Sequence, residues 1–259
     1  MRKKLFVQLK RNLRDSLPTP ILTFIQNLRN KDIIDNFKNK SIKKNFDKVY
    51  YENLWTYKNI KSGEGSQGRF LNFSVKLIKK KKYINNKIVC SIGCGDFNFG
   101  RKIFKLSKNY IGIDIVRDLI NLNRKKFKSK KLKFEHLNAI NGKLPFAEVY
   151  IIRQVFQHLK NENIKKILSK IFKAKPLRVI VFEDVPKTKF RPNVDLPVNG
   201  YLTRHYLNSG IDLRNYPFDL KFKKIAECKS LSNKNEGKLV CYIYEKKKYL
   251  NFQTQKEKY

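Results

Sequence analysis

The sequence predicts an α/β fold with a doubly wound, mostly parallel sheet. From residue 88 to residue 183, apolar runs of strand length alternate with segments of helical periodicity. The first run, Ile88 to Ile92, leads directly into Gly93-Cys94-Gly95, as a buried parallel strand does when a tight turn follows it. With 259 residues, 41% of them hydrophobic, the chain is long enough to bury one main domain of this kind.

Residues 1–60 are predicted to form a basic helical extension of this domain. Between residues 1 and 16, leucine and phenylalanine follow one helical stripe, with lysine and arginine mostly on the other face. Such a helix either covers its own domain or lies on an anionic membrane surface. No apolar stretch reaches the roughly twenty residues of a transmembrane helix. We therefore expect a cytoplasmic protein, with peripheral contact at the inner membrane face as a second option.

An aromatic cluster and a glycine-containing loop precede the predicted core. The cluster comprises Tyr50, Tyr51, Trp55 and Tyr57, and the loop is Ser62-Gly63-Glu64-Gly65-Ser66. Two glycines between serines can fold over a ligand and offer N–H groups to a carboxylate. The alternative is an ordinary connecting loop.

The remaining elements follow in order. A helix over residues 67–82 is expected to end at its lysine run, because positive charge suits a helix C-terminus. The helix predicted to start at residue 97 should point its free N–H groups at a ligand. The pattern predicts further helices at 97–107, 116–128 and 161–173, and strands at 88–92, 110–114, 132–137, 147–152, 177–183, 220–228 and 238–245.

Residues 184–219 are predicted to form a long polar loop that acts as a substrate lid. Prolines interrupt this segment four times, and long loops in compact domains are usually functional or disordered. Tyr201, Arg204 and His205 are expected to select the acceptor, with Arg204 clamping a carboxylate or phosphate. The basic tail, residues 246–259, is expected to be solvated.

The glycine turn and a later aspartate predict a nucleotide-type pocket. Asp114 ends the second strand, nineteen residues past Gly95, where a carboxylate can accept both hydroxyls of a ribose. A dinucleotide fingerprint would need glycine at Asn98, and no GK[ST] ending of a phosphate-binding loop follows. The pattern therefore favours an adenosine-bearing cofactor without phosphates.

At this point the sequence resembles the class I S-adenosylmethionine (SAM) dependent methyltransferases, which have a Rossmann-like fold. The similar segments are IVCSIGCGDF, YIGIDIV, LKFEHLNAI and YIIRQVFQHL, within residues 51–245. SGEGS, CGDFNF and RQVFQHL look like those of an uncharacterised bacterial subgroup. The resemblance implies that residues 61–245 form the methyltransferase domain and that SAM binds to Gly93, Cys94, Gly95, Asp96, Asp114, Ile115, Asn138 and Ala139.

Catalytic side chains are expected just after the fourth strand. The resemblance places Arg153, Gln154 and His158 beside the methyl group. His158 titrates near neutrality and could act as base, or it could hold the helix start around Asn161. Phe97 and Phe99 could face the pocket or belong to the core.

The charge of the chain leaves several functions open. Lys and Arg number 59 against 21 Asp and Glu, so an anionic acceptor or surroundings are expected, including nonspecific nucleic acid. The leading hypothesis is methyl transfer to a small-molecule or glycan-type acceptor. One alternative is an RNA methyltransferase, although no RNA-binding module is visible. Another is a SAM-binding protein without turnover, because Ser91 and Asn138 stand where most relatives carry acidic residues.

Neither the cysteines nor the histidines suggest a metal site. The four cysteines contain no C-x-x-C pair, and the three histidines are too scattered for zinc-ligand spacing. We therefore predict no metal, and we expect packing thiols in a reducing compartment.

Overall fold

The computed structural model describes residues 19–55, 61–187, 189–229 and 237–246. The predicted helix of residues 1–16 and the tail beyond residue 246 lie outside the described residues. The chain divides into two compact units, Met1–Ser41 and Ile42–Tyr259. In the first unit the described helix is α1, Thr19–Lys38. The predicted boundary between residues 60 and 61 falls inside the second unit, and the predicted domain organisation stays a prediction.

In the described part of the chain, one sheet has seven strands in the order β3-β2-β1-β4-β5-β9-β8, and a second sheet pairs β6 with β7. Strands β1 to β5 run parallel, whereas β9 is antiparallel to both β5 and β8. The prediction of a mostly parallel, doubly wound sheet is therefore confirmed. The strands are β1 Ile88–Ile92, β2 Asn109–Asp114, β3 Leu132–His136, β4 Val149–Arg153, β5 Arg178–Pro186, β6 Arg191–Pro192, β7 Ser209–Gly210, β8 Lys223–Lys229 and β9 Gly237–Glu245.

Helices cover both faces of the large sheet. Ile164, Ile167 and Ile171 of α5 belong to one buried cluster, and Leu71 and Ile78 of α3 belong to the other. Burial of these apolar stripes holds the helices on the sheet. The helices of the second unit are α2 Ile42–Tyr51, α3 Gly68–Lys81, α4 Arg117–Lys126 and α5 Asn161–Lys173.

The helix predicted over residues 97–107 is not formed. Two short 3₁₀ turns, Gly100–Lys102 and Phe104–Leu106, take its place. Phe97 has φ of 62°, which a right-handed helix cannot contain. Its ring is fully buried and makes edge-on contacts with Tyr110 and Phe134, so Phe97 belongs to the core. Burying this ring fixes the left-handed residue and removes the expected helix N-terminus.

Gly100→Ala should destabilise the protein, because a Cβ there would lie 2.1 Å from Cε2 of the Phe97 ring. Overpacking of this kind costs about 1–3 kcal/mol. Urea denaturation followed by circular dichroism should show a lower midpoint. Lys102→Ala, in the same turn but exposed, is the control. Equal midpoints for the two variants would show that the Phe97 ring moves away without cost.

The segment 184–219 is partly core, contrary to the predicted polar lid. Strand β5 continues to Pro186, and the segment contains β6, β7 and the 3₁₀ turn Arg204–Leu207. In this segment single apolar residues alternate irregularly with prolines and polar residues. Their burial therefore produces no helical or strand periodicity in the sequence. Buried apolar side chains from the segment are Val185, Leu196, Val198, Leu202, Ile211, Leu213 and Phe218.

Within the described residues, no helix is long and apolar enough to cross a membrane. The same residues contain no group of three or more His, Cys, Asp or Glu side chains arranged to hold a metal ion.

Candidate active site

A cavity of about 280 Å³ lies at the carboxyl ends of β1, β2 and β4. Ligands of open α/β sheets bind at this edge, where loops leave the strands. All eight residues that the resemblance assigned to the cofactor line the cavity, and so do Arg153, Gln154 and His158. Tyr201, Arg204 and His205 do not line it.

The turn after β1 is held by Asp114. Gly93 and Gly95 have φ of 67° and 54°, in the region that favours glycine. The Asp114 carboxylate accepts hydrogen bonds from Gly95 N at 2.9 Å and from Val116 N at 3.0 Å. Burial raises the pKa of Asp114, while these backbone donors oppose the rise. Asp114 thus joins the glycine turn to the end of β2.

The Ser62–Ser66 loop lies on the glycine turn. Ser62 Oγ accepts a hydrogen bond from Asp96 N at 2.9 Å, and Ser62 N donates to Asp96 Oδ2 at 3.5 Å. A Cβ on Gly95 would lie 2.4 Å from Ser62 Oγ, and one on Gly65 would lie 2.3 Å from Gln154 Nε2. The two chain segments can approach this closely because both positions are glycine. Ser62, Gly63, Gly65 and Ser66 line the cavity, while their role as donors to a ligand stays a prediction.

Arg153 ties this loop to the rest of the domain. Its guanidinium donates to Gly65 O and, at 3.2 Å, to Ser74 Oγ of α3, and it lies 5.5 Å from the centre of the Phe99 ring. Burial lowers the pKa of Arg153 to about 10, so the group remains charged at neutral pH. Gln154, which follows, has φ of 53°. A strained residue beside a cavity marks a position with a functional constraint.

His158 is buried and neutral. Burial lowers its pKa to about 4, which makes it a weak base at neutral pH. Its Nδ1 lies 3.3 Å from Leu202 O, which can only accept, so Nδ1 carries the proton. Nε2 then accepts from Gln157 Nε2 at 3.2 Å. The alternative role, holding the start of α5, falls instead to Asp195 Oδ1, which accepts from Asn161 N at 2.7 Å.

Glu183 supports the site from behind the cavity wall, and the sequence did not predict this role. It is fully buried in β5, and its carboxylate accepts from the backbone N of Val155, Phe156 and Gln157 at 3.2, 2.9 and 3.0 Å. Glu183 therefore fixes the turn that carries His158. Two adjacent acidic residues, Glu183 and Asp184, inside the otherwise apolar run VIVFEDV are the signal that could have identified it.

Glu183→Gln should destabilise the fold and flatten its pH dependence. An amide would place an NH2 group, which cannot accept, against backbone N–H groups from which either oxygen of the acid can accept, at a cost of about 1–3 kcal/mol. Burial raises the folded pKa of Glu183 from 4.5 to about 8, so the folded state binds the proton more tightly. The stability that this group contributes is therefore fully present below pH 4.5 and is lost as the pH rises to about 8. Urea midpoints measured from pH 5 to pH 8 should fall more steeply in the wild type than in the variant; parallel slopes would contradict this.

Arg204 does not line the cavity in this structure, and its role of clamping an acceptor stays a prediction. It is fully buried, and its guanidinium donates to Val194 O at 3.1 Å, Phe156 O at 2.8 Å and Asn161 Oδ1 at 2.7 Å. Through these hydrogen bonds, Arg204 joins the 184–219 segment to the turn after β4. The sequence predicted a clamp because the pattern does not show that backbone carbonyls occupy the guanidinium.

Tyr201 and His205 contact residues that line the cavity. Tyr201 O accepts from Trp55 Nε1 at 3.4 Å, and His205 Nε2 lies 3.7 Å from Asp184 Oδ1. Their predicted role in acceptor selection stays a prediction.

Comparison with known proteins agrees with this geometry. Residues 90–176 match the family model of a methyltransferase domain. The structure is similar to the N-methyltransferase NodS from Bradyrhizobium japonicum WM9 in complex with S-adenosyl-L-homocysteine (SAH), with 11% identity, a TM-score of 0.56, and coverage of 75% of this chain and 97% of that one. It is also similar to the magnesium protoporphyrin IX methyltransferase ChlM from Synechocystis PCC 6803 with bound SAM. The identity is 12% and the TM-score 0.53, and the match covers 79% of this chain and 97% of that one. No curated protein matches the sequence.

The domain match begins inside β1 and covers the glycine turn, Asp114 and the turn after β4. The sheet order and the two structural neighbours agree on the fold that this match implies. Residues 90–176 therefore match a methyltransferase domain, and the described part of the chain has the fold of these two methyltransferases.

Proposed function

We propose that the protein transfers the methyl group of SAM to a small-molecule acceptor. The observation that carries this proposal is the composition of the cavity wall. Beyond the glycine turn, Ile42, Phe46, Tyr50 and Trp55 line the cavity together with the Ser62–Ser66 loop. An acceptor must fit between these parts of the chain and the sheet edge, which favours a small molecule over a polymer.

The residues present fit SAM. Asp114 presents a carboxylate for the ribose hydroxyls, and Ile115, Asn138 and Ala139 follow it along the cavity wall beside the expected adenine. Asn138 Oδ1 already accepts from Ile140 N at 2.9 Å, which fixes the side chain. Gly93 and Gly95 offer backbone unobstructed by Cβ atoms to the methionine portion. Bound SAM would supply a methyl group activated by a sulfonium.

The protein's contribution would be to orient the acceptor and exclude water. Methyl transfer is an in-line displacement that gains most from positioning. Arg153 would hold the loop over the cavity through Gly65, and Gln154 and His158 would border the acceptor. Because His158 is neutral and a weak base, we assign it a positioning role at neutral pH.

The RNA alternative rests on the charge of the surface. Lys76, Lys79, Lys80 and Lys102 line one open basic groove beside α3. Affinity from such dispersed lysines would be nonspecific and would fall steeply with salt. A filter-binding series against salt concentration separates the two functions, because tight, sequence-dependent RNA binding near physiological salt would favour the RNA enzyme.

Titration calorimetry tests the proposed function directly. SAM and SAH should bind, whereas NAD should not. If NAD binds and neither SAM nor SAH does, the proposal is wrong. A screen of metabolites with labelled SAM would then identify the acceptor, and binding without turnover on any of them would support the noncatalytic alternative.

A further inference from the structure

Four aromatic rings line one part of the cavity, and we call them the aromatic box: Phe46, Tyr50, Trp55 and His158. The Trp55 ring centre lies 6.0 Å from that of Phe46 and 5.5 Å from that of Tyr50, with interplanar angles of 65° and 80°. The His158 ring lies 4.4 Å from Trp55 at 39°. All four residues line the cavity, and the negative face of an aromatic ring attracts a cation that binds beside it.

Hydrogen bonds hold the rings of the aromatic box in place. Trp55 Nε1 donates to Tyr201 O at 3.4 Å, and the Tyr50 hydroxyl donates to Ser62 Oγ at 3.4 Å. His158 is held at both ring nitrogens and is neutral, so it adds no positive charge that would repel a cation. The box is therefore oriented before any ligand binds, which lowers the entropy cost of binding.

Most of the charged side chains that line the cavity are negative, whereas the net charge of the chain is +38. Among the described residues, the charged lining side chains are Asp96, Asp114, Asp184 and Arg153. The one cation, Arg153, already donates to Gly65 O and Ser74 Oγ. The sequence-based expectation of an anionic acceptor therefore has little support from this lining, whereas a cation would meet carboxylates.

Asp184 is connected to the aromatic box through Gln157. Asp184 N donates to Gln157 Oε1 at 3.1 Å, and Gln157 Nε2 donates to His158 Nε2 at 3.2 Å. The Asp184 backbone, two residues before the end of β5, thus lies one side chain away from His158, and Asp184 itself lines the cavity. Asp96 and Asp114 are at the glycine turn, beside the expected cofactor, so Asp184 is the carboxylate on the acceptor side.

We propose that the acceptor is an organic amine, whose nitrogen binds in the aromatic box with Asp184 as the nearby counter-charge. The proposal rests on the proposed methyl transfer and names its substrate class. An ammonium group gains from ring faces and a carboxylate together, because both present a negative electrostatic potential to it.

The chemistry of nitrogen methylation suits this environment. The ammonium first releases its proton to water, and the lone pair of the neutral amine forms a bond to the methyl carbon. The carbon–sulfur bond breaks with its electron pair on sulfur, so the products are SAH and the methylated ammonium. Positive charge moves from sulfur to nitrogen, and the ring faces stabilise it where it arrives.

Trp55 is the only tryptophan in the chain, so its fluorescence reports directly on the aromatic box. The protein, saturated with SAH, is titrated with choline and with 3,3-dimethylbutan-1-ol, in which carbon replaces the charged nitrogen at nearly the same shape. We expect choline to bind about five- to tenfold more tightly. Equal binding, tighter binding of the uncharged alcohol, or no binding of either probe would overturn the proposal.

Two variants separate the charge preference from packing. Phe46→Leu removes a ring but keeps an apolar side chain and the fluorescent reporter, and it should lower the choline preference at least threefold. Phe146→Leu makes the same change at an exposed ring that does not line the cavity, and it should leave the preference unchanged. An unchanged preference in Phe46→Leu would contradict the box.

The same samples distinguish this inference from the proposed function. If SAH fails to bind by calorimetry, the proposed methyl transfer is wrong whatever choline does. If SAH binds and choline shows no preference over the alcohol, only the amine acceptor is wrong.

Discussion

Asp114→Asn should lower the affinity for SAM and for SAH by about a hundredfold or more. The carboxylate holds Gly95 N and Val116 N, and it is the group expected to accept the ribose hydroxyls. An amide would present a donor at one of these positions, which both disturbs the glycine turn and removes an acceptor. Hydrogen bonds to a charged group are worth about 1.5–3 kcal/mol each, and about 1.4 kcal/mol corresponds to tenfold in affinity.

Titration calorimetry with SAH measures this effect, and circular dichroism melting shows whether the variant remains folded. Asp118→Asn is the matched control, because Asp118 is an exposed aspartate four residues further along, in the first turn of α4. It should bind SAH like the wild type. If Asp114→Asn is folded and retains full SAH affinity, the ribose role of Asp114 is wrong.

The sheet could be predicted from the sequence because its signals are local. The predicted bounds of β1 and α5 agree with the structure, since an apolar run and a 3.6-residue stripe each lie within a single segment. The helix over residues 97–107 was wrong because the conformation of Phe97 is set by burial of its ring, a tertiary effect. The core residues within 184–219 could not be predicted, because their buried side chains follow neither helical nor strand periodicity.

The candidate site shows the same difference between local signals, which the sequence contains, and tertiary contacts, which it does not. The residues assigned to the cofactor could be predicted to lie together, because they follow parallel strands whose carboxyl ends share one edge of the sheet. The acceptor side could not be assembled in this way. Trp55 and His158 are more than a hundred positions apart in sequence, and they meet only because α2 packs over the strand ends. Glu183 and Arg204 likewise act through contacts with distant backbone, which the sequence pattern does not encode.

Arg204→Met should destabilise the fold by about 3 kcal/mol or more, because each buried acceptor that loses its donor costs about 1–3 kcal/mol. Arg204 is fully buried, and methionine would leave the carbonyls of Val194 and Phe156 and the side chain of Asn161 without their donor. Burial lowers the pKa of Arg204 to about 10, so the lost group is a cation at neutral pH. The substitution removes an interaction between two segments, not a contact with the acceptor.

Urea denaturation should therefore show a large loss of stability in Arg204→Met and almost none in Arg191→Met, the matched control at an exposed arginine of β6. SAH affinity should fall as well, because Phe156 and the turn carrying His158 lose their support. Normal stability together with a loss of methyl transfer would instead support the acceptor-binding role that the sequence predicts for Arg204. If Arg204→Met unfolds like the wild type and binds SAH normally but no longer methylates the acceptor, Arg204 reaches the acceptor in a conformation in which its guanidinium has left the backbone carbonyls.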